Sequence, residues 1–192
     1  VNVLLHQFVT LVEGGKQKKM STGRGEYVTL DELVADVGAD VVRYFVLARS
    51  PNSHLEFDLD LARKQANENP VYYIQNAHVR CAGIFRQAED RGFSDEGADL
   101  ANLGEREMAF VRKMLELPEI LAQSYSELAP HKVAFYALDL ARLFHPMYDE
   151  IRVLHTEVSE EDAKARLRLY RAAQVVFKRL LTLMGMSAPE VM

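Results

Sequence analysis

The chain has 192 residues, of which 48% are hydrophobic and 27% charged, with a formal net charge of −5. That length carries one large domain, or one domain plus a piece of another, with enough apolar residues for a core. The acidic balance argues against a protein that coats nucleic acid non-specifically, no apolar run is long enough to span a bilayer, and the single cysteine, Cys81, excludes an internal disulfide and fits a reducing, cytoplasmic setting.

Val1 to Val12 is rich in Val, Leu and Phe and predicts a strand buried on at least one side. It lacks an initiator Met and a signal-peptide layout, so the expectation is a C-terminal piece of a longer protein. Glu13-Gly14-Gly15-Lys16 predicts a turn, and Lys16 to Gly25 an exposed basic loop without hydrophobic period. Thr29-Leu30-Asp31-Glu32 has the capping-box pattern. Leu30, Leu33, Val34 and Val37 would form that helix's apolar face, and Gly38 would stop it. Asp40 would cap the next helix, where Val41, Val42, Tyr44 and Phe45 imply burial on more than one side; Ser50-Pro51-Asn52-Ser53 would end it.

Ala66 to Cys81 is where mixed signals give way to helix. Val71, Ile74, Ala77, His78, Cys81, Ile84 and Phe85 recur at three- and four-residue steps and predict one buried stripe. Tyr73, Gln75, Asn76 and Arg80 fall off that stripe. Aromatic, amide and guanidinium groups stack on bases and bond to their edges, whereas a plain solvated helix more usually carries Lys and Glu. His78, on the stripe, reads as a hydrogen-bonded core histidine, and Cys81 as a buried structural thiol.

Gly92 to Gly104 reads as a loop, Glu105 to Glu116 as a short helix, and Pro118 as the start of another. Pro130 opens a long helix in which Val133, Tyr136, Leu140, Leu143, Phe144, Met147, Ile151 and Leu154 form a bundle face, with a kink expected at Pro146. Ser159 caps the last helix, whose stripe is Leu169, Tyr170, Ala173, Val176, Phe177, Leu180, Leu183 and Met184, and which Gly185 ends. Its six basic residues, Lys164, Arg166, Arg168, Arg171, Lys178 and Arg179, read either as a solvated face paired with acids or as phosphate contacts. The fold class is therefore mainly α: a helical bundle preceded by a short strand-loop-helix segment. The six histidines are scattered away from Cys81 and from carboxylates at ligand spacing, so no structural metal is expected.

Lys18-Lys19-Met20-Ser21-Thr22-Gly23-Arg24-Gly25 combines positive charge with small residues that let backbone donors approach a phosphate; a solvated basic loop is the plainer reading. Lys19-Met20-Ser21-Thr22 resembles the Lys-Met-Ser-Lys-Ser signature of class I aminoacyl-tRNA synthetases. The blocks Arg49 to Asp60 and Asn67 to His78, the pieces Ala137 to Arg142 and Phe144 to Tyr148, and the ending Ala188-Pro189-Glu190-Val191-Met192 resemble arginyl-tRNA synthetase across essentially the whole chain. The second signature lysine is replaced by Thr22, and Arg24 and Lys18 are the nearby cations.

The resemblance implies a division at 1–60, the end of a catalytic domain with its signature loop, and 61–192, a helical anticodon-binding domain. It implies that Lys19 is catalytic through its phosphate contact, that Lys19, Met20, Ser21 and Thr22 bind ATP, with Mg, and that Tyr73, Gln75, Asn76, Tyr148 and Met192 contact tRNA, with Met192 near Tyr73. Phe144 and His145 are weaker candidates. The partners implied are arginine tRNA, ATP and arginine, without a membrane and in a monomer. The nucleotide-binding fold and arginine pocket would precede Val1, so these residues alone are expected not to make arginyl-tRNA. Two alternatives stand beside this: a non-catalytic tRNA-binding helical module, and a helical protein-interaction domain.

Overall fold

The computed structural model describes residues 7, 9–18 and 28–192. Helix α4, Pro70–Asp90, is the axis of the molecule. Asn69 caps it by accepting from the Val71 amide at 3.0 Å, and its own amide group donates to the carbonyls of Ala62 and Lys64. Pro70 sits at the first helical position, where its missing N–H has no cost. The predicted stripe is buried from Val71 to Ile84, and His78 and Cys81 lie inside it.

Before α4 lies a small sheet with helices. Strands β1 (Val9–Glu13) and β2 (Lys16–Gln17) form a hairpin whose turn residues, Gly14 and Gly15, have φ of 58° and 71°, a conformation that suits glycine. Strand β3 (Leu55–Asp58) pairs parallel to β1, with Leu11 opposite Phe57. The crossover between them carries α1 (Leu30–Val37) and α2 (Ala39–Leu47); α3 (Leu59–Ala62) follows β3. The Thr29–Glu32 capping box forms in both directions, and Gly38, at φ 87°, closes α1. Gly38 rather than Asp40 is the N-cap of α2. Asp40 already lies in the first turn, and its carboxylate reaches away to the chain's end. Leu30, expected on the buried face, is 66% exposed.

Arg63, just after α3, holds this small unit together from outside. It donates to both carboxylate oxygens of Asp36 on α1 and, at 2.6 Å, to Glu13 on β1. Glu13 also takes Lys18 at 3.2 Å, so that cation is already engaged. The segment Lys19, Met20, Ser21, Thr22, like Arg24, lies outside the described residues.

After α4 the chain is helical: a 3-10 turn at Leu100–Asn102, then α5 (Glu105–Leu115), α6 (Leu117–Ser126), α7 (His131–Glu150) and α8 (Glu160–Leu183). Helices α4, α5, α7 and α8 enclose one core, with Ile74, Phe110, Phe144 and Phe177 each at most 1% exposed. A second core, of Leu11, Leu33, Val42, Phe57 and Leu59, sits under the sheet. Helix α2 serves both: Val42 packs into the second and Tyr44 into the first. Helix α7 passes through Pro146, leaving the Arg142 carbonyl without its amide partner on an exposed side of the helix. It stops at Glu150, earlier than expected, and Leu143 and Leu183 face outward instead of inward.

Three of the six cations of α8 find acids far away in sequence. Arg166 pairs with Glu107, and Arg168 and Arg171 converge on Asp95 in the loop after α4; Lys164 takes Glu160 within the helix. The Arg171 guanidinium, with Arg168 beside it, holds the Asp95 carboxyl down at about 2, below its ordinary 3.8. A depressed carboxylate stabilises the fold above its unfolded value and loses that contribution as pH falls through the folded one. The stability difference between the native chain and Asp95→Asn should therefore be present at pH 5 and shrink towards pH 2. Equilibrium unfolding across that range measures it, and a difference that stays constant would count against the pairing.

Candidate nucleic-acid interface

The outward arc of α4 presents Tyr72, Tyr73, Asn76 and Arg80, all partly exposed. Helical spacing explains the set: residues 72, 73, 76 and 80 fall opposite the buried Val71, Ile74 and Cys81. Tyr73 leans towards α7. Its ring lies 4.2 Å from that of His145, and its carbonyl accepts from His145 Nε2 at 2.9 Å. Burial pushes the His145 imidazole below its ordinary value, which favours the neutral ring with the proton on Nε2. His145, 5% exposed, is thus a support for Tyr73 rather than a contact surface.

Two turns on from Tyr73, Arg80 bridges to α7. It donates to Asp149 at 2.9 Å while its guanidinium lies over the Tyr148 ring at 4.6 Å. Tyr148 itself is half-buried and backed by Phe144 and Tyr170. Phe144, fully buried, is core. Tyr148 also forms one wall of a cleft of about 270 Å³ whose other walls include Ile84, Gln87, Arg152, Leu154 and His155. This cleft exists because α7 stops at Glu150: Ile151 to His155 turn back as irregular chain. Arg91 fixes that turn by donating to the Leu154 carbonyl, and Arg166 by donating to the Arg152 carbonyl.

Gln75 departs from the expected surface. It is 7% exposed, and its amide nitrogen donates to Asp40 at 2.8 Å and to the Ser187 carbonyl and hydroxyl at 3.1 Å. It therefore faces the end of the chain and not solvent. His78 likewise bonds through Nδ1 to the Pro189 carbonyl at 2.7 Å, as a core histidine should. Met192 is half exposed and lines a separate cleft of about 460 Å³ whose walls on α4 include Val71, Tyr72 and Gln75.

Of the residues singled out in the sequence, Tyr73, Asn76, Tyr148 and Met192 are accessible, and Tyr73 packs on α7 at His145, three residues before Tyr148. Arg80, off the buried stripe in the sequence, is on this surface as well; Tyr72, Arg152 and His155 were not singled out as contacts. Tyr72 and Asn76 are four apart, a spacing that could have paired them; Arg152 and His155 carried no signal, because their segment reads as helix. Cys81 is fully buried, and that burial pushes its thiol upward. Among the described residues, no three His, Cys, Asp or Glu side chains come together as a metal site. No described helix is long and apolar enough to cross a membrane.

Residues 74–192 match the model of the DALR anticodon binding domain, and residues 1–82 match that of tRNA synthetases class I (M). The arginine–tRNA ligase of Salinibacter ruber is 48% identical over all of this chain, which covers 34% of that relative. That of Desulforudis audaxviator is 47% identical, again over all of this chain and 35% of the relative. A Campylobacter jejuni structure named as an arginyl-tRNA synthetase superposes with a TM-score of 0.86 at 30% identity, over 98% of this chain and 40% of that one. The Thermus thermophilus arginyl-tRNA synthetase shares the fold at a TM-score of 0.73 and 23% identity, over 95% of this chain and 34% of that one. The chain spans about a third of the length of the curated relatives it matches.

Proposed function

The chain belongs to the DALR anticodon binding domain family, and we propose that its helical part reads the anticodon of arginine tRNA on behalf of an arginyl-tRNA synthetase. The observation that carries this is the outer arc of α4 with Tyr72, Tyr73 and Asn76, continuous through Arg80 with the Tyr148 cleft. Unstacked loop bases are recognised by aromatic faces and by donors and acceptors at their edges, and this surface offers both. Tyr73, propped by His145, supplies a ring held in one orientation, so little freedom is lost when a base stacks on it. The cleft beside Tyr148 takes a splayed base, with Arg152, His155 and Gln87 at hand for its edge.

Titration of arginine tRNA and of an anticodon-substituted tRNA at two salt concentrations tests the reading. The native chain should prefer the former, and both affinities should fall as salt rises. Tyr73→Ala should weaken the preferred complex by about 1–3 kcal/mol. Equal affinity for the two tRNAs would sink the anticodon role, and unchanged affinity in the variant would return Tyr73 to packing alone.

The division at 60/61 belongs to the same proposal, with the first unit serving the ATP chemistry. There Lys19, with Met20, Ser21 and Thr22 shaping its loop, would stabilise charge on the ATP phosphates as the arginine carboxylate attacks the α-phosphate. Mg would accompany ATP on its phosphates. These 192 residues by themselves do not join arginine to tRNA; formation of arginyl-tRNA in an ATP-dependent assay of this chain alone would overturn that.

A further inference from the structure

We infer that Asp40, Gln75 and Ser187 form a latch that positions the last residue, Met192, on the RNA-reading face; the inference rests on the anticodon reading above. Beyond α8 the chain has no helix or strand, so its backbone groups would ordinarily turn to water. Instead, side chains from two other helices take them one after another. Arg43 on α2 donates to the Met184 carbonyl at 3.0 Å. Gly185 follows, at φ 69°, where a Cβ would collide with the Arg43 guanidinium. The Ser187 amide donates to both oxygens of Asp40 at 3.1 Å, and its hydroxyl donates to the same carboxylate. Gln75 donates to the Ser187 carbonyl and hydroxyl. His78 then takes the Pro189 carbonyl, and Arg86 the Glu190 carbonyl at 3.0 Å.

Ser187 is the centre of this set. Each of its polar groups is held, by α2 on one side and α4 on the other, although the residue itself is exposed. Gln75 is the only buried amide side chain on α4, and it is directed at the tail and at Asp40 together. Loss of the hydroxyl removes its bonds to Asp40 and Gln75, and a methyl in its place sets an apolar group against the Asp40 carboxylate. The tail keeps its distal contacts at Pro189 and Glu190 but is loosened from Asp40 at Ser187, and Met192 loses its place in the cleft it shares with Tyr72. Gln75 and Ser187 are thus positioning residues: they act on RNA through Met192 and not by touching it.

The isosteric pair Ser187→Thr and Ser187→Val, which differ only in the hydroxyl, tests this in the full chain. Backbone ¹⁵N relaxation reads the order of residues 188–192, and tRNA titration reads the ratio of affinities for arginine tRNA and an anticodon-substituted tRNA. Ser187→Val should raise the mobility of the tail and cut the ratio about tenfold, as deletion of Met192 should, while Ser187→Thr behaves as the native chain. The unfolding midpoint should match in both variants. A tail equally ordered in Ser187→Val overturns the latch. A loosened tail with an unchanged ratio overturns the positioning of Met192. If the native chain itself fails to discriminate between the tRNAs, the anticodon reading falls, and the relaxation data alone decide the latch.

Discussion

Phe144→Ala should destabilise the chain by about 3–5 kcal/mol, because it empties the point where three helices meet. The Phe144 ring is fully buried and lies 5.4–5.9 Å, centre to centre, from Phe110 on α5, Tyr148 on its own helix, and Tyr170 and Phe177 on α8. Removing it takes away the transfer free energy of a phenyl group and several tilted or edge-on aromatic contacts, each worth about 0.5–1.5 kcal/mol beyond area. The site cannot collapse to compensate, since its neighbours are rings anchored on separate helices. Phe144→Leu keeps much of the volume and should cost less than half as much. Urea unfolding of the two variants measures both, and a Phe144→Ala loss below about 1.5 kcal/mol would mean that the aromatic cluster repacks freely. Because Phe144 backs Tyr148, tRNA binding should weaken in Phe144→Ala even where the chain remains folded.

Glu107→Ala should cost about 3 kcal/mol, for a different reason. Glu107 is 3% exposed, and its two oxygens have two jobs. One accepts from the Gly104 amide at 2.6 Å and so caps α5; the other accepts from Arg166 Nε at 2.9 Å. The variant uncaps the helix and leaves a largely covered guanidinium without its counter-charge. Arg166 also holds the Arg152 carbonyl, so the loss passes to the wall of the Tyr148 cleft. A double variant, Glu107→Leu with Arg166→Met, should lose clearly less than the sum of the single ones, since no charge is left stranded. Strict additivity in that cycle would show that the pair contributes nothing as a pair.

Most of the helical frame was legible because its signals are local. Thr29 with Glu32 and Ser159 before three acids each mark a helix start within four residues of chain. The face of α4 was legible by period, except at Gln75. A pattern of apolar steps counts an amide as outward, although position 75 lies at the edge of the buried arc, and its partner Ser187 is 112 residues away. The same limit hid the acids that Arg166, Arg168 and Arg171 reach: pairing was expected, but Glu107 and Asp95 lie 59 or more residues distant. The Tyr148 cleft was hidden by a good helical pattern. Ile151 and Leu154 continue the period of α7, but no glycine announces that the backbone leaves the helix at Ile151.

Helix α2 has the side chains of its Val42 and Tyr44 in different cores, and its Asp40 and Arg43 on the end of the chain. The family boundary at residue 74 therefore does not mark a piece that folds alone. A chain shortened to begin at Pro70 would uncover the surface that Tyr44 and Phe45 shield and strand Gln75 without its carboxylate. The smallest self-sufficient helical unit should start at Ala39 and carry α2 along as a borrowed wall, which comparison of the unfolding midpoints of the two shortened chains would reveal.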